Sequence, residues 1–266
     1  MIEITFVGTG SAIPPAGRGT TAFTVRTENM LLLADAGPSV FDGLQRAGID
    51  PAEVTAIFLS HGHADHILGF PQLALLAKFT PRNPPLKVFA SAVVRETITA
   101  VIRLTFPEAE DALYRNMEWI ELAEGPRQSH DVAEGVQLTS QVVFGPPYMP
   151  VLGLRLDFFE RGISLAFSAD TAPSDELASL ATGCDLLIHE ASFSATKEPD
   201  GSPEMLFHSD ARQAGQIAAR AGAKQLVLTH VSRNHSDHRR VLTAEAAEFF
   251  KGPIYVPDDG DRLRLE

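Results

Sequence analysis

Residues 55–72, TAIFLSHGHADHILGFPQ, constrain this chain more than any other stretch. The apolar run 56–59 stops at Ser60, and His61, His63, Asp65 and His66 follow at once. Imidazole nitrogen and carboxylate oxygen are the donors that zinc and related divalent metals take from proteins. A short apolar run reads as a buried strand, so donors placed where it ends stand at the rim of a sheet. Alternate strand residues share a face, which puts His61 and His63 on one side. Asp65 and His66 then begin the next turn or helix, aimed at a neighbouring point. The spacing predicts two adjacent metal positions.

The same arrangement recurs along the chain. His61, Asp170, Glu190 and His230 each stand where an apolar run ends. Strands are expected over residues 2–7, 22–26, 31–35, 86–90, 117–122, 136–144, 152–159, 163–168, 185–189 and 225–229, with a final pair at 254–256 and 262–265. Helices are expected from Ser39 as N-cap to residue 47, then over 67–79, 91–106, 107–115, 173–181, 209–221 and 243–250. The polar segment 198–205, EPDGSPEM, is expected to be a mobile loop. With no internal repeat, linker or composition break, residues 1–266 are expected to form one domain of strands with helices outside.

Composition narrows the function classes. A formal charge of −12 argues against a tight, nonspecific grip on a nucleic-acid backbone, which draws its affinity from Lys and Arg. The single cysteine, Cys184, allows no internal disulfide, fits a reducing compartment and is expected in a core strand. No apolar run reaches the roughly 20 residues that span a bilayer. The N-terminal MIEITFVGTGS reads as strand and turn, not as a signal peptide. A cytoplasmic protein with no membrane partner is expected.

HGHADH resembles the H-x-H-x-D-H signature of the metallo-β-lactamase superfamily, which implies an α/β fold, the four-layer αββα sandwich. VGTGSAIPPAGRGTTAFTV, LLLADAGPS, FSADT, LLIHEASF, FHSDARQAGQIA and LVLTHVS resemble, in order, blocks of the ribonuclease Z branch and of related short phosphodiesterases. The resemblance implies roles for residues. His61 and His63 would bind one metal, Asp65, His66 and His230 the other, and Asp170 would bridge them. The metal would be zinc, one or two ions, with manganese or iron as alternatives. Water or hydroxide between the metals would be the nucleophile. Asp65, Glu190 and His208 would be catalytic. A carboxylate behind an imidazole fixes its tautomer and stabilises its cation, which suits Glu190 and His208 to protonating a departing alkoxide. His189, on the opposite strand face, reads as a structural hydrogen-bonding histidine.

Two departures from that branch stand out. Where it carries a further metal-binding histidine, this chain has Pro147, with Pro150 and Gly153 holding the register. Tyr148 and His130 are the candidate substitutes; His130 is otherwise a loop residue, and a phenol binds poorly until it loses a proton near pH 10. The branch also carries a long tRNA-clasping insertion, for which residues 155–170 leave room only for a hairpin. tRNA is therefore disfavoured as a partner, though not excluded, and a small anionic substrate is expected. Arg18, Arg233, His235 and His238 read equally as substrate-facing rim or as incidental loop residues. A homodimer is compatible with the sequence. The leading expectation is a metal-dependent phosphodiesterase. Its alternatives are a carboxylic ester, lactone or sulfate ester hydrolase, tRNA 3′-processing, or a metal-binding protein without catalysis.

Overall fold

Runs such as Leu31–Ala34 (LLLA) and Ala56–Phe58 (AIF) are apolar at every position, and such a strand needs cover on both faces. The computed structural model, which describes residues 1–80, 84–197, 207–232 and 238–266, supplies that cover with two stacked sheets and outer helices.

Among the described residues the first sheet has seven strands. They are β1 (Ile2–Gly8), β2 (Ala22–Arg26), β3 (Leu31–Ala34), β4 (Ala56–Phe58), β5 (Leu86–Ala90), β6 (Met117–Glu121) and β14 (Arg262–Leu265), in the order β14-β1-β2-β3-β4-β5-β6. The second holds β7 (Gln128–Ala133), β8 (Val136–Val143), β9 (Val151–Phe158), β10 (Ile163–Phe167), β11 (Leu186–Glu190), β12 (Leu226–Thr229) and β13 (Ile254–Tyr255), in the order β13-β12-β11-β10-β9-β8-β7. Each sheet is antiparallel at one end and parallel at the other. The parallel parts are β3 to β6 and β10 to β13. Open sheets of parallel strands bind ligands beyond their carboxyl ends, and His61, Asp170, Glu190 and His230 lie there.

Period-two alternation assigns the layers. Ala56 and Phe58 join the core between the sheets, with Phe23, Leu154 and Phe167, while Ile57 turns outward to Leu44, Phe70 and Ile98. The rings of Phe23 and Phe167 meet edge to face across the sheets, with centroids 5.1 Å apart. The helices are α1 (Val40–Arg46), α2 (Ala64–Ile67), α3 (Phe70–Phe79), α4 (Ala92–Thr105), α5 (Ala112–Arg115), α6 (Asp175–Leu180), α7 (Ala211–Ala221) and α8 (His238–Ala246). This is the αββα arrangement expected from the resemblance.

Local chemistry moves several boundaries. The helix expected over 67–79 is two, α2 and α3, broken at Leu68 and Gly69, because Gly69 packs against the backbone of Gly37, where a Cβ would lie 2.1 Å from the Gly37 oxygen. Ser39 does not cap α1 with its side chain; its hydroxyl accepts the Thr20 N–H at 3.0 Å. Residues 128–133 form the edge strand β7, which carries His130, so His130 is not a loop residue. α8 starts at His238 and ends at Ala246, earlier than the expected 243–250. The final two strands do not pair with each other, since β13 closes the second sheet and β14 the first. Cys184 sits in the turn before β11 rather than in a strand, and burial pushes its thiol up to about 11. The hairpin expected within residues 155–170 is present as β9 and β10. Segment 198–205 lies outside the described residues.

Candidate metal centre

Strand ends bring the donors together. β4 hands the chain to His61; α2 presents Asp65 and His66; Asp170 follows β10, Glu190 closes β11 and His230 follows β12. Three non-glycine residues here adopt positive φ: Asp35 (59°), Ala169 (53°) and His230 (58°). Such backbone costs on the order of 1–3 kcal/mol per residue and persists where surrounding contacts enforce it. Gly37 permits the close seating of α2, because a Cβ there would lie 1.8 Å from the Asp65 carbonyl oxygen.

Asp65, His66, Asp170 and His230 form a four-donor set, with one ligand atom from each within 4.8 Å of all the others. All four residues are buried. Asp170 Oδ2 lies 3.2 Å from His66 Nε2 and 3.1 Å from His230 Nε2, and Asp65 Oδ2 lies 3.2 and 3.5 Å from the same nitrogens. The far side of each imidazole is spoken for. His66 Nδ1 donates to Asp35 Oδ2 at 2.7 Å. The Ser192 hydroxyl donates to Glu190 and takes the His230 Nδ1–H at 2.8 Å. Both rings are thereby held with Nε2 facing inward, the usual outer-partner device of metal-binding histidines. These two Nε2 atoms are buried and make no hydrogen bond. Two orphaned imidazole nitrogens opposite two carboxylates suit a divalent cation such as zinc.

His61, His63 and Asp170 form a second, smaller set. Ser60 donates its hydroxyl to Asp35 Oδ2 at 2.8 Å, so it accepts from His61 Nδ1 at 3.0 Å. His61 Nε2 then carries a lone pair, but it lies 3.0 Å from His63 Nδ1, whose proton it accepts. Asp170 Oδ2 stands farther off, 3.8 Å from His61 Nε2.

Electrostatics separate the two sets. Burial works to lower the pKa of His66, but the charges of Asp170 and Asp35 outweigh it and hold the imidazole well above its ordinary value. Burial likewise opposes charge on His230, yet Asp170 and Asp65 push it up to about 10. Burial would raise the Asp65 and Asp170 carboxyls; their contacts with His230 and His66 win and hold both well below the usual range. The other two imidazoles go the opposite way. Burial, aided by the charge of His66, takes His61 well below its ordinary value, and burial also lowers His63. The four-donor set favours positive charge, and the His61–His63 pair favours neutrality.

Beside the four donors, His208 Nδ1 lies 3.1 Å from both carboxylate oxygens of Glu190. Its ring stacks on His230 at 5.6 Å. Glu190 is held in turn by the Thr171 N–H at 2.5 Å and by Ser192. Glu190, His208 and His230 also lie close enough to form a third donor group.

Other candidates fall elsewhere. Tyr148 is 74% exposed, unlike the buried donors of the four-donor set. His130 packs on Phe89, with centroids 6.2 Å apart, and joins none of the described donor groups. Arg18 is bonded to Thr9, the Pro257 carbonyl and Asp258, tying the first loop to the turn before β14. His189 is buried and donates from Nδ1 to the Glu190 carbonyl at 2.7 Å, the structural role expected of it. Arg233, His235 and the His238 side chain lie outside the described residues. Sequence reasoning passed over Asp35, Ser60 and Ser192. Asp35 carried a usable signal, since it too is a carboxylate directly after a buried strand; the two serines carried none.

Residues 31–231 match the family described as the beta-lactamase superfamily domain. A ribonuclease Z from Natronomonas pharaonis is 31% identical over 310 aligned positions, covering 99% of this chain and 98% of the relative. That aligned length exceeds the 266 residues here, so the relative carries segments this chain lacks. Among solved structures, the metallo-beta-lactamase fold protein YhfI from Bacillus subtilis superposes with a TM-score of 0.80 at 22% identity, covering 98% of both chains. A diphosphatase from the PhnP family gives 0.76 at 20% identity, covering 100% of this chain and 98% of that one. These two likenesses establish the fold. Family match, relative and fold agree that the chain belongs to the beta-lactamase superfamily, in its ribonuclease Z-like branch, and is a metal-dependent hydrolase.

Proposed function

We propose that the chain hydrolyses small phosphodiesters, with residues 1–266 working as one catalytic unit in the cytoplasm. The observation that carries this reading is the Glu190–His208 pair beside the four-donor set. An ester with an activated acyl or lactone group needs little help at its leaving group, whereas an alkoxide leaving phosphorus needs a proton. Burial disfavours charge on His208, but the charge and hydrogen bond of Glu190 outweigh it and raise its pKa. With Nδ1 turned to Glu190, the imidazolium gives up its Nε2 proton. Water adds to phosphorus, the P–O bond to the leaving group breaks with its electron pair, and that oxygen takes the Nε2 proton. Glu190 orients the ring and steadies its cation. In this reading the proton of the attacking water passes to the carboxylate of Asp65, one of the two that face the centre. Asp65, His66, Asp170 and His230 would hold a divalent cation, most simply zinc, which neutralises charge on phosphoryl oxygens and acidifies water.

The edge beside His208 supports a small substrate with an apolar arm. Phe144 is 53% exposed, and its ring stacks at 6.3 Å on that of Phe207, the neighbour of His208. The formal charge of −12 and the short β9–β10 hairpin weigh against a polyanion. Ribonuclease Z-like processing of tRNA is the second reading, favoured by the 31% identity to a ribonuclease Z. Zinc-loaded protein assayed side by side on bis(p-nitrophenyl) phosphate, p-nitrophenyl acetate, an aryl sulfate, a lactone and a precursor tRNA decides between them. Turnover of the phosphodiester well above the others is expected. Preference for an acyl or sulfate ester overturns the proposal, and efficient tRNA cleavage replaces it with the second reading. Inactivity on all of them favours a metal-binding protein.

A further inference from the structure

The two donor sets differ in whether their inward-facing nitrogens are already hydrogen-bonded. In the four-donor set, His66 Nε2 and His230 Nε2 are buried without a hydrogen bond, while Asp35 and Ser192 hold the opposite nitrogens. In the smaller set, the inward lone pair of His61 already accepts the Nδ1 proton of His63. Freeing it costs that hydrogen bond, and His63 Nδ1 can bind a metal only after changing tautomer. The shared carboxylate also leans one way. Asp170 Oδ2 is 3.1 and 3.2 Å from the histidines of the four-donor set but 3.8 Å from His61. Gly62, between the two paired histidines, is faced by the side chain of Met149, with Sδ 3.7 Å from where a Cβ would stand. Among the described residues, no fourth His, Cys, Asp or Glu reaches that point.

We propose that the chain tightly binds one divalent metal, at Asp65, His66, Asp170 and His230, and that His61 and His63 remain a hydrogen-bonded imidazole pair beside it. This rests on the same site as the proposed hydrolysis but concerns stoichiometry, which is measured without any substrate. The pair is then a polar wall of the centre, and His61 acts as a positioning residue by linking His63 to Ser60 and Asp35.

The full chain, stripped of metal and reloaded by dialysis with zinc and then against metal-free buffer, tests this by elemental analysis and by calorimetric titration. One retained equivalent per chain is expected. His61→Asn and His63→Ala should keep that equivalent with a Kd within about 3-fold of wild type, whereas His66→Ala and His230→Ala should lose it. Circular dichroism identifies any variant that fails to fold, and His66→Asn and His230→Gln then take its place. Two tightly held equivalents in the wild type, or loss of the single equivalent in a folded His61→Asn or His63→Ala, overturn the proposal. One equivalent without turnover of a phosphodiester leaves the stoichiometry standing and sinks the proposed reaction instead.

Discussion

The two donor sets lie side by side, share Asp170 and draw on the same six-residue cluster, yet the fold treats them differently. His66 and His230 are each held from behind by a side chain from another segment, Asp35 and Ser192, and their inner nitrogens are left without partners. His61 and His63 come from one turn and satisfy each other. If the cation is held only by the four-donor set, as proposed, density of donors in sequence is a poor guide to its position. What counts is whether the surrounding chain leaves a lone pair unspent and directed inward.

The largest effect should come from Asp170, the residue common to both sets. Asp170→Ala should lose all bound metal in elemental analysis and reduce turnover to background; retained metal would show that the neighbouring donors suffice without it. Next is His208→Ala, expected to lower kcat by about 10²–10⁴-fold while leaving metal content unchanged. The loss should be steeper for alkyl than for aryl leaving groups, and an equal loss for both would remove His208 from proton transfer. Asp35→Asn ranks third. It weakens the hydrogen bond behind His66 and the one that fixes Ser60, so metal affinity should fall about 10–100-fold by calorimetry. An unchanged affinity would mean that ring orientation is set by packing alone.

The smallest effect lies outside both sets. Glu245 on α8 is buried and accepts from Ser194 and Thr196, anchoring the chain just after β11. Burial would raise its pKa, but the bonds from Ser194 and Thr196 outweigh it and lower it below the ordinary 4.5. Because the folded-state pKa lies below the unfolded one, its stabilisation is complete above about pH 4.5 and is lost as pH falls through the lower folded value. Glu245→Gln should thus lower Tm at pH 7 and converge with wild type in strong acid. A gap that persists at pH 2 would assign the loss to packing.

Much of this arrangement could be read in the sequence because burial leaves a clear pattern. Runs such as LLLA, AIF and LLIHE allow only covered strands, and each ends near a donor. The edge strand β7 was illegible because QSHDVA alternates half-buried and exposed positions, with little apolar signal to mark it. The break between α2 and α3 hides in a glycine whose need comes from Gly37, far away in sequence. The pairing of β14 with β1 could not be inferred from a short RLRL segment, since register across the whole chain length has no local signature. At the site, the donors announced themselves by type, but the supports did not. Ser60 and Ser192 are ordinary residues whose roles exist only once distant segments meet.

That dependence on distant segments has a bearing on biosynthesis. The histidine cluster at residues 61–66 emerges early, whereas His230 follows far later. At ribosomal rates of about 5–20 residues per second, the gap is on the order of 10–30 s. Until Asp170 is made, the growing chain displays three imidazoles and a carboxylate with none of the later donors in place. An abundant divalent metal that suits imidazole and carboxylate can lodge on them first. Faithful loading therefore depends on exchange after Asp170 and His230 have arrived, so the cellular metal supply at the moment of folding becomes part of what the gene specifies.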